Sequence, residues 1–257
     1  MTLIIICLVA FLASGLTFFS GFGLGTLLLP AFALFFPIEQ AVALTGVVHF
    51  LNGLFKLALV GRQADKGVLI RFGLPAFVAS FVGALVLIRL ADVPPITTYI
   101  VFGKLAVVTP VKLAIGGLLL VFAGLELSER FGRVALPPRY LPFGGVLSGF
   151  FGGLAGMQGA LRSAFLVRAG LSKQAFIGTG VAIAALIDIS RIGVYLADFK
   201  NQAHQLDYLL LAAAVLSAFA GAFLGNRYLT KLTMQHVQRI VAALLFAVGL
   251  GLVFGIL

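Results

Sequence analysis

Eight apolar runs, at approximately residues 2–36, 39–60, 68–90, 110–126, 140–167, 173–197, 206–229 and 235–257, constrain this chain more than any other feature. The links between them are short and polar or proline-containing, so no separate soluble domain fits anywhere. A helix needs about 20 residues to cross the hydrocarbon core, so eight crossings would take roughly 160 residues. Soluble domains are about 25% charged and 45–50% apolar. Here 61% of 257 residues are apolar, 10% are charged, and the mean hydropathy is +1.17. The expectation is one all-α polytopic transmembrane domain over residues 1–257. The first run opens Met-Thr-Leu-Ile without basic residues, so it reads as part of the mature protein rather than a cleaved signal.

Two runs are interrupted by glycine. The first, too long for one ordinary span, contains Ser20-Gly21-Phe22-Gly23-Leu24-Gly25, and its apolar stretch ends with Pro30. The fifth contains Gly144-Gly145, Ser148-Gly149, Gly152-Gly153, Gly156 and Gly159. Irregular backbone at membrane depth survives only where protein or a water-filled cavity satisfies its polar groups. Both segments therefore read as broken or re-entrant, although Gly145, Gly149 and Gly153 also make a small-xxx-small face suited to close helix packing.

Sliding the chain on itself by 134 residues lays Gln40-Ala41 over Gln174-Ala175, Thr45-Gly46-Val47 over Thr179-Gly180-Val181, and Gly25 over Gly159. One broken segment falls on the other, as in an internal duplication with halves at about 1–130 and 139–257. Loop charges test the orientation of the halves. If every run crossed once, sixteen loop-borne basic residues would divide eight to eight. If each glycine-broken run enters and leaves on one side, that side gathers Lys56, Arg62, Lys66, Arg71, Arg130, Arg133, Arg139, Arg168, Lys173, Arg227, Lys231 and Arg239. Only Arg89, Lys104, Lys112 and Lys200 remain on the other, twelve against four. Each half then has a hairpin and three spans. Three being odd, the halves are inverted and both termini are external, an architecture common among secondary transporters. Residues 96–109, between Pro94-Pro95 and Pro110, read as a small external hairpin or an interfacial segment, and Thr109-Pro110 as the N-cap and first-turn proline of the next helix.

Gly21-Phe22-Gly23-Leu24-Gly25, Pro30 and the helix start at 39–48, with 152–159 and 174–181 as a second copy, resemble the TauE/SafE family of membrane anion exporters over nearly the whole chain. The resemblance implies outward secondary transport of small anions: sulfite, sulfonates, or other sulfur-containing or organic anions. The sequence departs from the family pattern at Gly23-Leu24-Gly25, where three consecutive glycines are common, and at Ala164, where proline is common.

An ionisable side chain inside a bilayer costs roughly 2.5–3.5 kcal/mol on insertion scales, so each needs a partner or a role. Arg162 lies just past the second break, where a half-helix N-terminus adds its own N–H donors and positive dipole end, together making an anion seat. A snorkelling arginine on a short returning arm is the alternative. Gly23, Gly25 and Gly159 supply the broken backbone at this seat, and the Gln158 amide is placed to reach a bound oxyanion. Thr45, His49, Asn52 and Lys56 fall on one helical stripe. His49 is a candidate for the coupling proton, since an unperturbed histidine titrates near neutrality, and a hydrogen-bonded structural histidine fits equally. Asn52 and the repeat-equivalent Thr45 and Thr179 offer polar groups to a substrate, or the threonines bond their own helix carbonyls. Lys56 reads as a cytoplasmic anchor. Asp188 and Arg191, three residues apart, can neutralise each other, with Asp188 a second candidate for the proton. Mapping the first stripe across the repeat gives Thr179, Ile183, Leu186 and Ser190, and Leu186 is about 200° of helical rotation from Asp188, so Asp188 is expected to face a different neighbour.

A single cysteine, Cys7, forbids an intrachain disulfide, a Cys/His cluster or a dithiol relay, and no metal or other cofactor is implied. The net charge of +10 sits mainly in loops, where topology asks for it, and does not point to nucleic acid. No HExxH, carboxylate cluster or catalytic cysteine suggests an enzyme. The expected partners are a small anionic substrate and the bilayer, with a homo-oligomer left open, and the expected place is the plasma or inner membrane. A carrier suits two broken hairpins meeting head-on, a channel-like pore is the alternative, and a membrane-embedded enzyme is a third reading.

Overall fold

A computed structural model describes residues 1–16, 23–101, 103–128, 134–198, 207–228 and 234–257. Ser20, Gly21 and Phe22 of the first break, and Arg130, Arg133, Lys200 and Lys231 of the charge count, lie outside the described residues.

The run at 2–36 resolves into α1 (Thr2–Leu16) and α2 (Leu24–Ala33), and the run at 140–167 into α6 (Leu141–Ala155) and α7 (Gly159–Leu166). A left-handed glycine borders each interruption. Gly23, ahead of α2, has φ 111°, and Gly156, ending α6, has φ 74°, left-handed geometry that costs glycine little. Ser148 Oγ donates to the carbonyl of Gln158 at 2.9 Å and so ties the second break to α6. Pro30 lies inside α2 rather than ending it; every residue of that ten-residue helix is buried, so the proline break faces protein and not lipid.

At 1.5 Å per residue these four helices, of 15, 10, 15 and 8 residues, are only roughly 12–23 Å long, short of a 30 Å hydrocarbon core. The longer helices are α3 (Ile38–Val60), α4 (Lys66–Ala91), α5 (Pro110–Leu127), α8 (Lys173–Asp198), α9 (Tyr208–Tyr228) and α10 (Met234–Val253). Among the described residues, five of them carry an apolar stretch long enough to cross a membrane; in α10 the apolar part is the shorter Arg239–Val253. Ile70, Leu74, Val78, Phe81 and Leu85 form an exposed apolar stripe along α4, as acyl chains require of a multi-pass membrane protein. Within α4, a π-turn at Leu69–Gly73 precedes Pro75, whose missing N–H removes a partner from the helix ladder.

α6 packs along α4, α1 along α9, and α5 against α10, while α3 and α8 cross at the centre. Glycine permits these approaches. A Cβ added at Gly149 on α6 would lie 2.1 Å from the carbonyl oxygen of Ala76, and one at Gly153 would lie 2.0 Å from that of Ser80. In the second pair the glycines are on α9, where a Cβ at Gly221 would lie 2.1 Å from the carbonyl oxygen of Phe11. The small-xxx-small reading of 145–153 therefore holds for α6, alongside the break that follows it.

The all-α expectation needs one amendment. Residues 97–108 form an antiparallel hairpin of β1 (Thr97–Val101) and β2 (Lys104–Val108), turning at Gly103 with φ 74°. Val107 N–H donates to the Gly255 carbonyl, which docks the C-terminal end on the hairpin. Thr109 Oγ1 accepts from Lys112 N–H at 3.2 Å, the cap that Thr109-Pro110 leads one to expect.

Gly149→Leu should clash with the α4 backbone and lower stability by about 1–3 kcal/mol or more, measured as a reduced Tm in detergent. Gly117→Ala, where an added Cβ meets nothing within 4 Å, is the control expected to melt like the parent.

Candidate functional site

The two breaks touch. A Cβ at Gly25, in the first turn of α2, would lie 3.2 Å from the carbonyl oxygen of Gly156, 3.7 Å from His49 Cδ2 and 4.0 Å from Thr45 Cγ2. Both breaks thus close on the middle of α3, where Thr45 and His49 project. From α8 the Arg191 guanidinium enters the same place through a slot with glycine on two walls. A Cβ at Gly46 would lie 3.3 Å from its Cζ, and one at Gly156 would lie 2.9 Å from its NH1.

Asp188, fully buried on α8, organises the charges. Its Oδ2 is 2.6 Å from His49 Nδ1. A carboxylate accepts, so Nδ1 carries the proton in that contact. Its Oδ1 accepts from Arg191 Nε at 2.9 Å, lies 2.7 Å from Arg191 NH2, and accepts from Gln158 Nε2 at 3.3 Å. The Gln158 side-chain oxygen Oε1 then accepts from Arg162 NH1 at 3.0 Å. One buried carboxylate therefore links a histidine of α3, an arginine of α8 and, through an amide, an arginine of α7. As the helical rotation predicts, Asp188 faces a different neighbour from Leu186: Ile183 and Leu186 pack toward Gly73 of α4, whereas Asp188 meets His49 of α3. α8 is buried around most of its circumference, and Gly180, Ala184, Asp188 and Arg191 make the face that meets α3 and the break.

Three polar groups in this region have hydrogen-bonding capacity to spare. Thr45 Oγ1, Arg191 NH1 and Arg191 NH2 are buried and meet no hydrogen-bond geometry with a described residue; NH2 makes an ion contact with Asp188, and the Tyr195 hydroxyl also lies beside the guanidinium. Thr45 does not bond its own helix carbonyl. Buried polar groups are ordinarily satisfied, so these three atoms stand out among the described residues.

The remaining expected residues are placed as follows. Arg162 is buried next to Gly180, where an added Cβ would lie 3.6 Å from its Nε, so it does not snorkel. Gly46 and Gly180, the glycines of the repeated Thr-Gly-Val motif, thus each lie beside an arginine, tightly at Gly46 and at ordinary contact distance at Gly180. The repeat-equivalent threonines diverge: Thr179 Oγ1 accepts from Asp65 N–H at 2.8 Å and anchors the α3–α4 loop, away from the Arg191 slot. Asn52 accepts from Ser14 Oγ at 3.1 Å and joins α3 to α1. The Gly23 carbonyl accepts from Thr26 Oγ1, and the Gly159 carbonyl from Ser163 Oγ, each within its own half-helix. Lys56 is buried on α3. Sequence reasoning missed the roles of Gly46 and Gly156 in walling Arg191, and of Tyr195, which donates to the Gly153 carbonyl. The one signal for Gly46 was its recurrence as Gly180.

Removing one partner from a buried ion pair leaves an uncompensated charge. Arg191→Gln is accordingly expected to lower stability by about 3–5 kcal/mol, and Arg191→Gln with Asp188→Asn to recover much of that loss. Thermal melts of purified protein check it; equal melting of the single and double variants would refute the pairing as a stabilising unit.

A family model described as "Sulfite exporter TauE/SafE" matches residues 6–252, and the chain belongs to that family. Comparison with curated proteins and with solved structures returns no match.

Proposed function

We propose, with membership of the TauE/SafE family as premise, that this membrane transporter is a secondary carrier exporting small oxyanions such as sulfite or sulfonates, coupled to protons. The observation that carries the reading is the unsatisfied edge of Arg191, which together with the Thr45 hydroxyl lies buried where the two glycine breaks touch. A planar guanidinium matches the paired oxygens of a sulfonate or sulfite, and a hydroxyl donates to a third oxygen. The first turn of α2, at Gly25, brings backbone N–H groups and a positive dipole end to the same spot. Arg162, steered by Gln158, adds fixed positive charge from the second half. His49 and Asp188 form one hydrogen-bonded pair and jointly serve as the proton site, in place of two separate candidates.

The carrier works by alternating access between inverted halves, about 1–130 and 139–257, each a re-entrant hairpin followed by three spans. Reciprocal packing supports this. The hairpin α1–α2 leans on α9 of the other half, the hairpin α6–α7 leans on α4, and α3 and α8 meet across the middle. Rocking the hairpins against their partner helices exposes the Arg191 slot to one side at a time. The twelve-to-four division of basic residues supports an arrangement with the open ends of the hairpins in the cytoplasm and both termini outside.

In proteoliposomes, saturable sulfite uptake accelerated by sulfite loaded on the far side is expected, with Arg162→Gln and Thr45→Val weakening anion binding while the protein stays folded. Ohmic currents without counter-flow would favour a pore, and wild-type affinity in Arg162→Gln would make that arginine structural. For the topology, single cysteines at Val134 and Ser172 should be labelled by an impermeant maleimide from the same membrane face. Labelling from opposite faces would sink the hairpin arrangement.

A further inference from the structure

We infer that the protonation state of His49 sets the valence of the anion in this seat: monovalent when His49 is neutral, divalent when it is protonated. The inference rests on the anion seat proposed above. His49 Nδ1 is committed to Asp188 at 2.6 Å, so proton exchange falls to Nε2. The adjoining atom Cδ2 faces Gly25, on the side where the breaks touch, and the ring is still part-exposed. His49 thus has one nitrogen tied into the charge network and the other outside that contact.

The charges within that hydrogen-bonded network can be counted. α8 presents Asp188 and Arg191 to His49, and the second break presents Arg162 through Gln158. α2 and α6, which reach the site through Gly25 and Gly156, have no ionisable side chain; Tyr195 of α8 lies beside Arg191 and keeps its phenolic proton in its hydrogen bond to the Gly153 carbonyl; and the described side chains of α9 carry no charge. Other ionisable groups on neighbouring helices lie at other levels: Lys56 is seven residues further along α3, and Glu39 near its start interacts with Lys112 of α5. Two arginines and one carboxylate leave +1 when His49 is neutral, and +2 once Nε2 gains a proton. A buried site disfavours net charge of either sign. A sulfonate or other monoanion neutralises the first state, and a dianion such as sulfate or fully ionised sulfite neutralises the second. Proton and second negative charge then enter together, so a dianion is carried with one proton more than a monoanion.

Sulfate and methanesulfonate keep charges of −2 and −1 across the pH range in which histidine titrates, so the two probes report the site's protonation and not their own. Calorimetric titration of purified protein at several pH values between about 5.5 and 8.5 is expected to show the ratio of methanesulfonate Kd to sulfate Kd rising at least tenfold toward low pH. In His49→Gln that ratio should be flat. A flat ratio in the wild type overturns the inference and leaves the anion seat standing; an undiminished rise in His49→Gln overturns the assignment to His49. No binding of either anion at any pH overturns the seat and the inference with it. A second measurement needs no variant. Wild-type titrations in two buffers of different ionisation enthalpy, at the middle of the transition, should show sulfate taking up more protons than methanesulfonate, approaching one extra. Equal proton uptake overturns the inference.

Discussion

Asp188 is the group on which the centre of the molecule depends. A carboxylate without water must be met by donors, and this one is met from α3, α8 and the second break. In return it allows two arginines to remain charged at depth, one by direct contact and one through the Gln158 amide. The contact between His49 and Asp188 joins residues 139 positions apart, one from each half of the chain, so the same interaction that neutralises the charges also pins the halves together.

Glycine prepares the space in which that interaction sits, in three distinct ways. Gly149, Gly153 and Gly221 let helix backbones touch, which short helices without long apolar interfaces need in order to hold position. Gly23 leads into one half-helix and Gly156 ends another, each in left-handed backbone geometry. Gly46 leaves room for the Arg191 guanidinium, and its repeat equivalent Gly180 lies in contact with Arg162. Only the last use places charge at membrane depth, and it is the one that recurs inside a repeated motif.

The membrane environment, the two interrupted segments and the helix starts were all legible from residue order, because each depends on neighbours in sequence. Hydropathy over a window needs no partner, a glycine break is local, and Thr109-Pro110 caps its own helix. The hairpin at 97–108 was half legible: its turn glycine was visible, while its pairing is completed by Gly255 at the far end of the chain. Thr45 and Thr179 were indistinguishable by repeat position. One is left unsatisfied at the centre, and the other is taken up by a loop that the sequence does not place beside it.

By itself the sequence determined that the chain lives in a bilayer, where its backbone is irregular, and which few charges lie too deep to be anchors. These follow from transfer free energy and backbone sterics, which act residue by residue. Only the tertiary structure decided which charges meet. Helical rotation along α8 separated Asp188 from the face equivalent to the α3 stripe, yet α8 is enclosed on several sides, and the face carrying Asp188 is the one that α3 and the second break press upon. A helix presents its side chains at fixed angles, but which neighbour stands at each angle is set by packing between elements far apart in the chain.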